Sequence, residues 1–299
     1  MKLEHLLPVD GLRQDEYNLY SLCYAHNAAR RIRDALSGRH DFHDGPMPID
    51  YCLWIAHNAD RLFLVDVGYS REAARARGRE LLHDPVEALE TIGIAPGSVT
   101  DVVLSHLHCD HAGNLHRFAN ARLHVQDAEV AFATGRCMCE DALRYPYDLE
   151  DVLNLTRRTF QKRVQFHDGD SRLAPGADLL KLPGHAAGLQ GVLVNTRRGK
   201  VLLASDATHF YPNAMRRIPH VLTTDTVATL ATYRRIHEVI ERPDQLIPGH
   251  DPKVRLAFPT IIANGIALQA LHLPPLKSEA AFFESLTNYD IAAPSGPGV

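Results

Sequence analysis

Four residues of types that commonly bind metal ions crowd into one short stretch of the chain. Residues 105–114 read SHLHCDHAGN and place His106, His108, Asp110 and His111 within six positions, directly after an apolar run that is typical of a strand. Alternate side chains of an extended segment face the same side, so His106 and His108 can converge on one ion. Asp110 and His111 lie on the following turn and can reach a second ion. The spacing predicts a metal site with room for two ions.

Three later segments each end in a further residue that can bind a metal ion. They read LPGH, LLASD and LIPGH, and they end at His185, Asp206 and His250. Each is an apolar strand or a Pro-Gly turn, the kind of rigid element that presents ligands at the rim of a fold. A polar turn with hydrogen-bonded histidines is the alternative for residues 105–114, but it leaves these three residues unexplained. We therefore favour a metal centre.

The order of these residues resembles the signature of the metallo-β-lactamase superfamily, H-x-H-x-D-H followed by His, Asp and His. The resemblance covers roughly residues 17–255. It implies an α/β fold, the αβ/βα four-layer sandwich in which two mixed sheets face each other and helices lie outside. It also implies the following ligand sets: His106, His108 and His185 for the first ion, Asp110, His111 and His250 for the second, and Asp206 as the bridge between them.

The ligand set predicts both the metal and the reaction. Imidazoles and carboxylates without a cysteine suit two zinc ions, and manganese, iron or cobalt fit the same cage. Two ions about 3.5–4 Å apart lower the pKa of a bridging water from near 16 towards about 7, which gives a hydroxide nucleophile at neutral pH. We expect Asp110 to carry the proton. Asp66, in LFLVDVG, resembles a family residue that orients ligands and does not bind the metal.

Within the superfamily, the layout is most similar to the N-acyl-homoserine lactone lactonases of quorum quenching and related small-lactone hydrolases. The similarity rests on SDATHFYPN from Ser205 onwards and on a helix that leads to PGHD. It implies a hydrolase that opens a lactone or a related carboxylic ester. The chain departs from the lactonases at Asn114, which replaces a Gly, and at His209, which stands in the place of a catalytic Tyr. We expect His209, or failing that Tyr211, to take the role of that Tyr.

Other activities of the superfamily remain open. A glyoxalase II-like thioesterase would use the same two ions. A persulfide dioxygenase belongs to another reaction class and would hold one iron with two His and one Asp. A metal-binding protein without catalysis would show bound metal and no turnover. The intact Asp206 argues against β-lactamase activity, because lactamases of the fold tend to replace it or to lose ligands of the second ion.

Composition narrows the partners and the compartment. The 299 residues are 45% hydrophobic and carry a net charge of −4 without a basic stripe, which favours a small-molecule substrate over nucleic acid. No apolar run approaches a membrane helix, and the start lacks a secretory signal, so we expect a cytoplasmic protein. The five cysteines show no C-x-x-C spacing and are predicted to be reduced thiols. A monomer and a homodimer fit equally well.

The sequence predicts one domain of mixed α/β elements over residues 1–299. Loop insertions are expected at about 26–47 and 135–150, and a flexible tail at 290–299. A helix should begin after Asp225, with an apolar face that includes Val227, Tyr233 and Ile236. Strands are expected at the following ranges: 17–24, 49–56 and 61–67, the last two as a hairpin, then 99–104, 122–126, 178–182, 190–195 and 201–204.

Two further expectations concern the pocket and the remaining histidines. Loops of this length often line clefts, so we predict that two residues of each loop lie at the pocket mouth, namely His43, Asp44, Tyr145 and Tyr147. Nine histidines belong to no recognisable constellation, and a surface or hydrogen-bonded core position is predicted for each. They are His5, His26, His40, His57, His83, His116, His124, His220 and His272.

Overall fold

The computed structural model describes residue 9 and residues 11–38, 44–278, 281, 282 and 284. His43 and the predicted tail at 290–299 lie outside the described residues. Within the described chain, the strands form an eight-stranded sheet in the order β12-β13-β1-β2-β3-β4-β5-β6 and a five-stranded sheet in the order β11-β10-β9-β8-β7. The strands of the first sheet are β1 (Asn18–Asn27), β2 (Ile49–His57), β3 (Leu62–Val65), β4 (Asp101–Val103), β5 (Arg122–Gln126), β6 (Val164–His167), β12 (Thr260–Ala263) and β13 (Ile266–Ala270). Those of the second are β7 (Ser171–Ala174), β8 (Ala177–Lys181), β9 (Gln190–Thr196), β10 (Gly199–Ser205) and β11 (Leu246–Pro248).

The two mixed sheets face each other, and helices lie outside them, as the αβ/βα sandwich predicts. The described α-helices are α1 (Arg71–Ala76), α2 (Pro85–Thr91), α3 (Cys109–Ala112), α4 (Asp127–Ala133), α5 (Asp141–Arg144), α6 (Leu149–Phe160), α7 (Tyr211–Arg216), α8 (Thr226–Val239) and α9 (Lys253–Ala257). In the part of the chain that the structure describes, no helix is long and apolar enough to cross a membrane.

Strand β2 shows why the two layers form. Its side chains alternate, so that Leu53 and Ile55 join the core between the first sheet and its helices, while Trp54 and Ala56 join the core between the two sheets. All four are buried, which explains the nearly continuous apolar run in the sequence. Antiparallel pairing of β2 with β3 confirms the predicted hairpin. Stacked sheets of this kind leave their strand ends at the rim, where loops can carry polar residues.

Helix α8 follows the predicted Asp225 N-cap, whose carboxylate accepts a hydrogen bond of 2.9 Å from the Ala228 amide. Its predicted apolar face is only partly right. Tyr233 and Ile236 are buried, but Val227 is 78% exposed. Thr229, on the same helix, packs closely against Gly184. A Cβ at position 184 would lie only 2.3 Å from the Thr229 hydroxyl oxygen.

The two predicted loops differ in structure. Described residues between β1 and β2 contain a single 3-10 turn, Ile32–Asp34, as a loop insertion should. The loop predicted at about 135–150 is not wholly irregular, since it contains the 3-10 turn Arg136–Cys139, helix α5 and the first residues of α6. Arg77 holds the end of the segment by donating from Nη2 to the carbonyl oxygens of Tyr145 and Tyr147 at 3.1 Å each. Tertiary contacts such as these stabilise single helical turns that local sequence does not reveal.

Candidate metal centre

Every predicted ligand follows a strand or lies on the short helix after one. In chain order they are His106 and His108 after β4, Asp110 and His111 on α3, His185 after β8, Asp206 after β10 and His250 after β11. Strands β10 and β11 are parallel, so their carboxyl ends meet at one edge, and β8 runs in the same direction because β9 is antiparallel to both β8 and β10. The fold brings all seven side chains together at the rim of the two sheets.

Asp206 lies at the middle of this cluster. Its Oδ2 is 3.3 Å from His185 Nε2 and 3.8 Å from His106 Nε2. Its Oδ1 is 3.0 Å from His250 Nε2 and 3.4 Å from His111 Nε2. The two carboxylate oxygens therefore face two different groups of imidazoles. Gly249 permits this approach, because a Cβ at that position would lie 2.5 Å from Asp206 Oδ1.

The remaining distances complete two sets of donor atoms. His108 Nδ1 is 3.0 Å from His185 Nε2, and Asp110 Oδ2 is 3.5 Å from His111 Nε2. Asp110 Oδ2 is also 3.6 Å from His250 Nε2. Within each set the donor atoms all lie within 4.8 Å of one another. The first set is His106, His108, His185 and Asp206, and the second is Asp110, His111 and His250.

Hydrogen bonds on the far side of three imidazoles orient their rings. His111 Nδ1 lies 2.7 Å from Asp66 Oδ2, His250 Nδ1 lies 2.7 Å from the Asp50 carbonyl oxygen, and His185 Nδ1 lies 2.6 Å from the Leu222 carbonyl oxygen. Each of these oxygens accepts, so each Nδ1 carries the hydrogen and leaves an Nε2 lone pair for the centre.

The Asp66 carboxylate forms hydrogen bonds to two segments that carry proposed ligands, one at Ser105 and one at His111. Besides His111, it accepts from the Ser105 amide and the Ser105 hydroxyl at 2.7 Å each. Its backbone adopts φ of +63°, a left-handed conformation that is uncommon outside glycine, and the side chain is fully buried. Asp66 thus lies where a residue that orients ligands would lie.

The electrostatics of the cluster suit bound cations. Burial lowers the pKa of His106 and His185 well below the usual value and lowers that of His108 to about 3, so these rings are neutral at pH 7. Burial alone would raise the pKa of Asp206, but His209, His250 and His111 hold it well below its usual range. Among the described residues, Nε2 of His106, Nε2 of His111 and Oδ1 of Asp206 are buried without a hydrogen-bond partner. In the second set burial alone would lower the pKa of His111 and His250, but the carboxylates of Asp110 and Asp206 raise both. Imidazoles held beside ionised carboxylates, with unsatisfied inward atoms, fit a pair of divalent transition-metal ions that would take the place of those protons.

Residues 49–272 match the sequence profile of the metallo-beta-lactamase superfamily. The chain belongs to that superfamily. This confirms the resemblance inferred from the seven residues in order, and it agrees with the observed αβ/βα sandwich.

Two lactonases of the superfamily are similar to this chain in sequence. The N-acyl homoserine lactonase of Bacillus cereus is 32% identical over 169 residues, which cover 56% of this chain and 61% of that protein. The N-acyl homoserine lactonase AiiB of Agrobacterium fabrum is 34% identical over 175 residues, which cover 55% of this chain and 61% of that protein. The chain therefore spans less than two thirds of the length of these relatives.

Solved structures of superfamily members share the fold. A quorum-quenching N-acyl homoserine lactone lactonase superposes with a TM-score of 0.68 at 24% identity, over 81% of this chain and 95% of that chain. AidC, a dizinc quorum-quenching lactonase solved with a product, gives a TM-score of 0.63 at 18% identity, over 81% of this chain and 90% of that chain. At these identities the likeness establishes the fold alone.

His209, which the sequence resemblance places at the position of a lactonase Tyr, lies beside the cluster of proposed ligands. Its Nε2 is 3.0 Å from Asp206 Oδ2, and its ring stacks on His220 with centroids 3.6 Å apart and planes within 5°. His220 is buried and its Nδ1 accepts from the Leu222 amide at 3.1 Å, which confirms the predicted hydrogen-bonded core position, but its contact with His209 was not predicted. Eleven positions separate it from His209, and no local pattern marks it. Ring nitrogens of His209, His220 and His185 also lie within 4.8 Å of one another, so His220 adjoins the proposed ligands.

Tyr211 is not brought to the site, which corrects the alternative prediction for it. Its side chain is fully buried in the core between the sheets, and its ring meets Phe282 edge-on with centroids 5.8 Å apart. The Tyr211 amide donates to Asp251 Oδ2 at 3.0 Å, which joins the start of α7 to the turn after β11. The side chain does not line the pocket above the cluster.

A cavity of about 380 Å³ opens above the cluster. Asp110, Asp206, His209 and His250 are among the lining residues, and loop residues from both predicted insertions form the mouth. Tyr145 lines the mouth as predicted and is 64% exposed. Asp110 is the proposed ligand with the most open side chain, at 15% exposure. The metal centre therefore forms the floor of a pocket large enough for a small molecule.

Two of the predicted mouth residues have other positions. Tyr147 is buried behind the centre, where its hydroxyl donates to Glu129 Oε1 at 3.0 Å and its ring meets the His108 ring at 4.8 Å between centroids. Asp44 does not line the cavity but accepts from Arg31 Nε at 2.9 Å and from Arg33 Nη1 at 2.6 Å. Both predictions were wrong, because Tyr147 turns towards a buried carboxylate and Asp44 towards exposed arginines of its own loop.

Glu129 is a structural support of the centre that the sequence did not reveal. This buried carboxylate accepts from the Leu107 amide at 3.0 Å and from the Gly188 amide at 2.9 Å. It thereby joins the segment that carries His106 and His108 to the turn after His185. An isolated Glu on a short helix carries no signal of this role, which follows from tertiary contacts alone.

Proposed function

We propose that the chain is a dinuclear zinc hydrolase that opens a lactone or a related carboxylic ester. The observation that carries this proposal is the position of Asp206, whose two oxygens face two separate donor sets at the floor of one pocket. The similarity to N-acyl homoserine lactonases supports the choice of substrate class. We further propose a cytoplasmic location, which the five unpaired cysteines favour.

The proposed ligands of each ion correspond to the two sets of donor atoms described above. The first ion would be held by His106, His108 and His185, the second by Asp110, His111 and His250, and both by Asp206. When bound, two such ions supply a nucleophile from water at neutral pH and polarise the substrate carbonyl. These are the requirements of ester hydrolysis.

His209 and Asp110 have the positions needed for the remaining steps. Asp206 Oδ2 only accepts, so the His209 Nε2 that faces it at 3.0 Å carries the hydrogen and points into the centre. Bound ions would take the lone pairs of that carboxylate, which would release the His209 N–H to donate to the negative charge that develops on a substrate oxygen. Asp110 reaches the cavity and can take up the proton of the attacking water and pass it to the leaving oxygen.

The test is hydrolysis by the full chain after zinc loading, after chelation and after zinc is restored. We expect N-hexanoyl-homoserine lactone and γ-butyrolactone to be opened, activity to vanish with chelator and to return with zinc. S-lactoylglutathione serves as the thioester comparison. Faster hydrolysis of the thioester would favour a glyoxalase II-like enzyme. One iron per chain with oxygen uptake on a persulfide would contradict the hydrolase altogether.

A further inference from the structure

Two arginine-rich segments, about 45 residues apart in the sequence, meet at the mouth of the pocket. Arg30 and Arg33 belong to the loop between β1 and β2, and Arg77 and Arg79 follow α1. All four line the cavity above the metal centre. Four positive guanidinium groups at one pocket repel one another unless negatively charged groups nearby offset their charge.

Two of the four arginines already have partners. Arg33 Nη1 is 2.6 Å from Asp44 Oδ2. Arg77 donates to the carbonyl oxygens of Tyr145 and Tyr147, and its Nη1 is 3.9 Å from Asp148 Oδ2. These contacts hold the two mouth loops in place. Arg33 and Arg77 are therefore structural groups.

Arg79 and Arg30 are less fully paired in the part of the chain that the structure describes, where Arg79 shares a side-chain hydrogen bond with Tyr69. No described carboxylate lies within ion-pairing distance of either guanidinium, and Nε of both is buried without a hydrogen-bond partner. Arg30 donates from Nη2 to the Asp34 carbonyl oxygen at 2.5 Å, which leaves its charge uncompensated. A buried N–H without an acceptor is costly and uncommon, so a ligand is the expected acceptor.

Tyr51 links these two arginines to the metal centre. Burial, with Asp110 nearby, raises the pKa of Tyr51 to about 12, and the positive charges of Arg79 and Arg30 oppose that rise. The Tyr51 ring in turn meets the ring of the proposed ligand His250 edge-on, with centroids 5.2 Å apart. Arg30, Arg79, Tyr51 and His250 all line the same cavity, so the two guanidinium groups share the pocket with the proposed ligands.

The charges of the pocket point the same way. The carboxylates among its lining residues are Asp34, Asp110 and Asp206. The last two are proposed metal ligands, and two divalent ions would outweigh their charge. A loaded pocket is therefore strongly positive, which favours an anionic substrate.

We propose that the substrate is a lactone or ester that carries a second, ionised carboxylate, and that Arg79 and Arg30 bind that carboxylate. A guanidinium matches a carboxylate with two parallel N–H donors, which a neutral acyl chain cannot use. This inference rests on the proposed lactonase function and narrows its substrate class. It assigns Arg79 and Arg30 to substrate binding and leaves the chemistry to the metal centre.

The test compares matched substrates on the zinc-loaded full chain. N-succinyl-homoserine lactone and N-succinamoyl-homoserine lactone share ring and length and differ only in a carboxylate against a carboxamide. A shorter pair, 5-oxotetrahydrofuran-2-carboxylate and its carboxamide, covers a closer spacing. For at least one pair we expect kcat/KM to favour the carboxylate by at least about tenfold, chiefly through KM.

Arginine variants assign that preference to residues. Arg79→Gln and Arg30→Gln should each lower the ratio of carboxylate to carboxamide kcat/KM by about tenfold or more, and Arg79→Lys should keep part of it. Arg75→Gln is the control, since Arg75 is exposed on α1 and outside the pocket lining, and it should leave the ratio unchanged. The ratio is internal to each variant, so partial misfolding does not alter it.

The outcomes separate this inference from the proposed function. If both carboxamides are opened as efficiently as the carboxylates, and Arg79→Gln changes nothing, the anionic substrate is wrong while the lactonase stands. If no lactone is opened, the lactonase is wrong, and calorimetric titration with N-succinyl-homoserine and N-succinamoyl-homoserine decides the binding claim. Tighter binding of the carboxylate that Arg79→Gln abolishes supports it, and equal affinities overturn it.

Discussion

The floor and the mouth of the pocket are built in opposite ways. At the floor, His111 and His250 are each held from behind by an oxygen at 2.7 Å, and the side chains are buried at strand ends. At the mouth, Arg79 and Arg30 have buried nitrogens without partners among the described residues, and Tyr145 is largely exposed. We infer that the strand ends determine the reaction and that the loops determine which substrate reaches it.

The largest effect should come from the residue shared by the two donor sets. Asp206→Asn removes an ionised ligand from both proposed ions, so kcat/KM on the best lactone should fall by at least about 10³-fold. His250→Ala removes a ligand from the second set alone and should cost less. Steady-state kinetics of both variants, after zinc loading, check this order. Near-parental turnover of Asp206→Asn would mean that the floor is not organised around this carboxylate.

His209 tests whether the floor also supplies the donor to the substrate. His209→Phe should lower kcat by about 10²–10³-fold, the usual cost of losing one donor to the transition state. Tyr211→Phe is the matched control, because that hydroxyl lies in the core between the sheets, and its kcat should stay near the parental value. Both are assayed across pH with metal content verified. A His209→Phe variant as fast as the parent at every pH would remove His209 from the mechanism.

Asp66 tests the support behind the floor. Asp66→Asn loses the charge that holds His111 and the Ser105 hydroxyl, so the affinity for zinc should fall by about 10–100-fold. Competition with a chromogenic chelator measures this affinity. Asp60→Asn, in the exposed turn between β2 and β3, is the control. Equal affinities of the two variants would show that Asp66 does not orient the ligands.

Asp151 lies on α6 behind the mouth and gives a pH-dependent test of stability. Burial, with Asp148 nearby, raises its pKa to about 7, so the folded protein keeps a proton that the unfolded chain releases near pH 4. The stability contributed by this protonated group is present at low pH and is lost as the pH rises towards 7. Asp151→Asn should therefore stabilise the fold by about 2–4 kcal/mol at pH 8 and by less than about 1 kcal/mol at pH 4.5. Urea unfolding at both pH values checks this, and an equal effect at both would contradict it.

The smallest effect is expected at the rim of the mouth. Tyr145→Ala should raise KM for an acyl-homoserine lactone severalfold and leave kcat near the parental value, because this exposed ring contacts only the outer part of a ligand. Exposed Leu149→Ala, outside the cavity lining, is the matched control. A change in kcat without a change in KM would place Tyr145 closer to the reaction than the pocket suggests.

The floor could be predicted from the sequence because its residues lie in short motifs at strand ends. Seven residues in a fixed order carry enough information to indicate the fold and the grouping of ligands. The contact of His220 with His209 could not be predicted, since it depends on how the chain returns after α7. Helix α5 was missed because single helical turns are stabilised by distant contacts, among them those of Arg77. Mouth residues carry no periodic signal, and there the predictions for Asp44 and Tyr147 failed.

The most direct test of the central claim is the number of metal ions bound by three proteins. Mass spectrometric metal analysis and zinc titration should give two ions per chain for the parent, one tightly bound ion for His250→Ala, and weakened binding of both ions for Asp206→Asn. That pattern follows from a carboxylate shared by two donor sets. A parent that saturates with one ion, or an Asp206→Asn variant that binds two ions with parental affinity, would contradict the account.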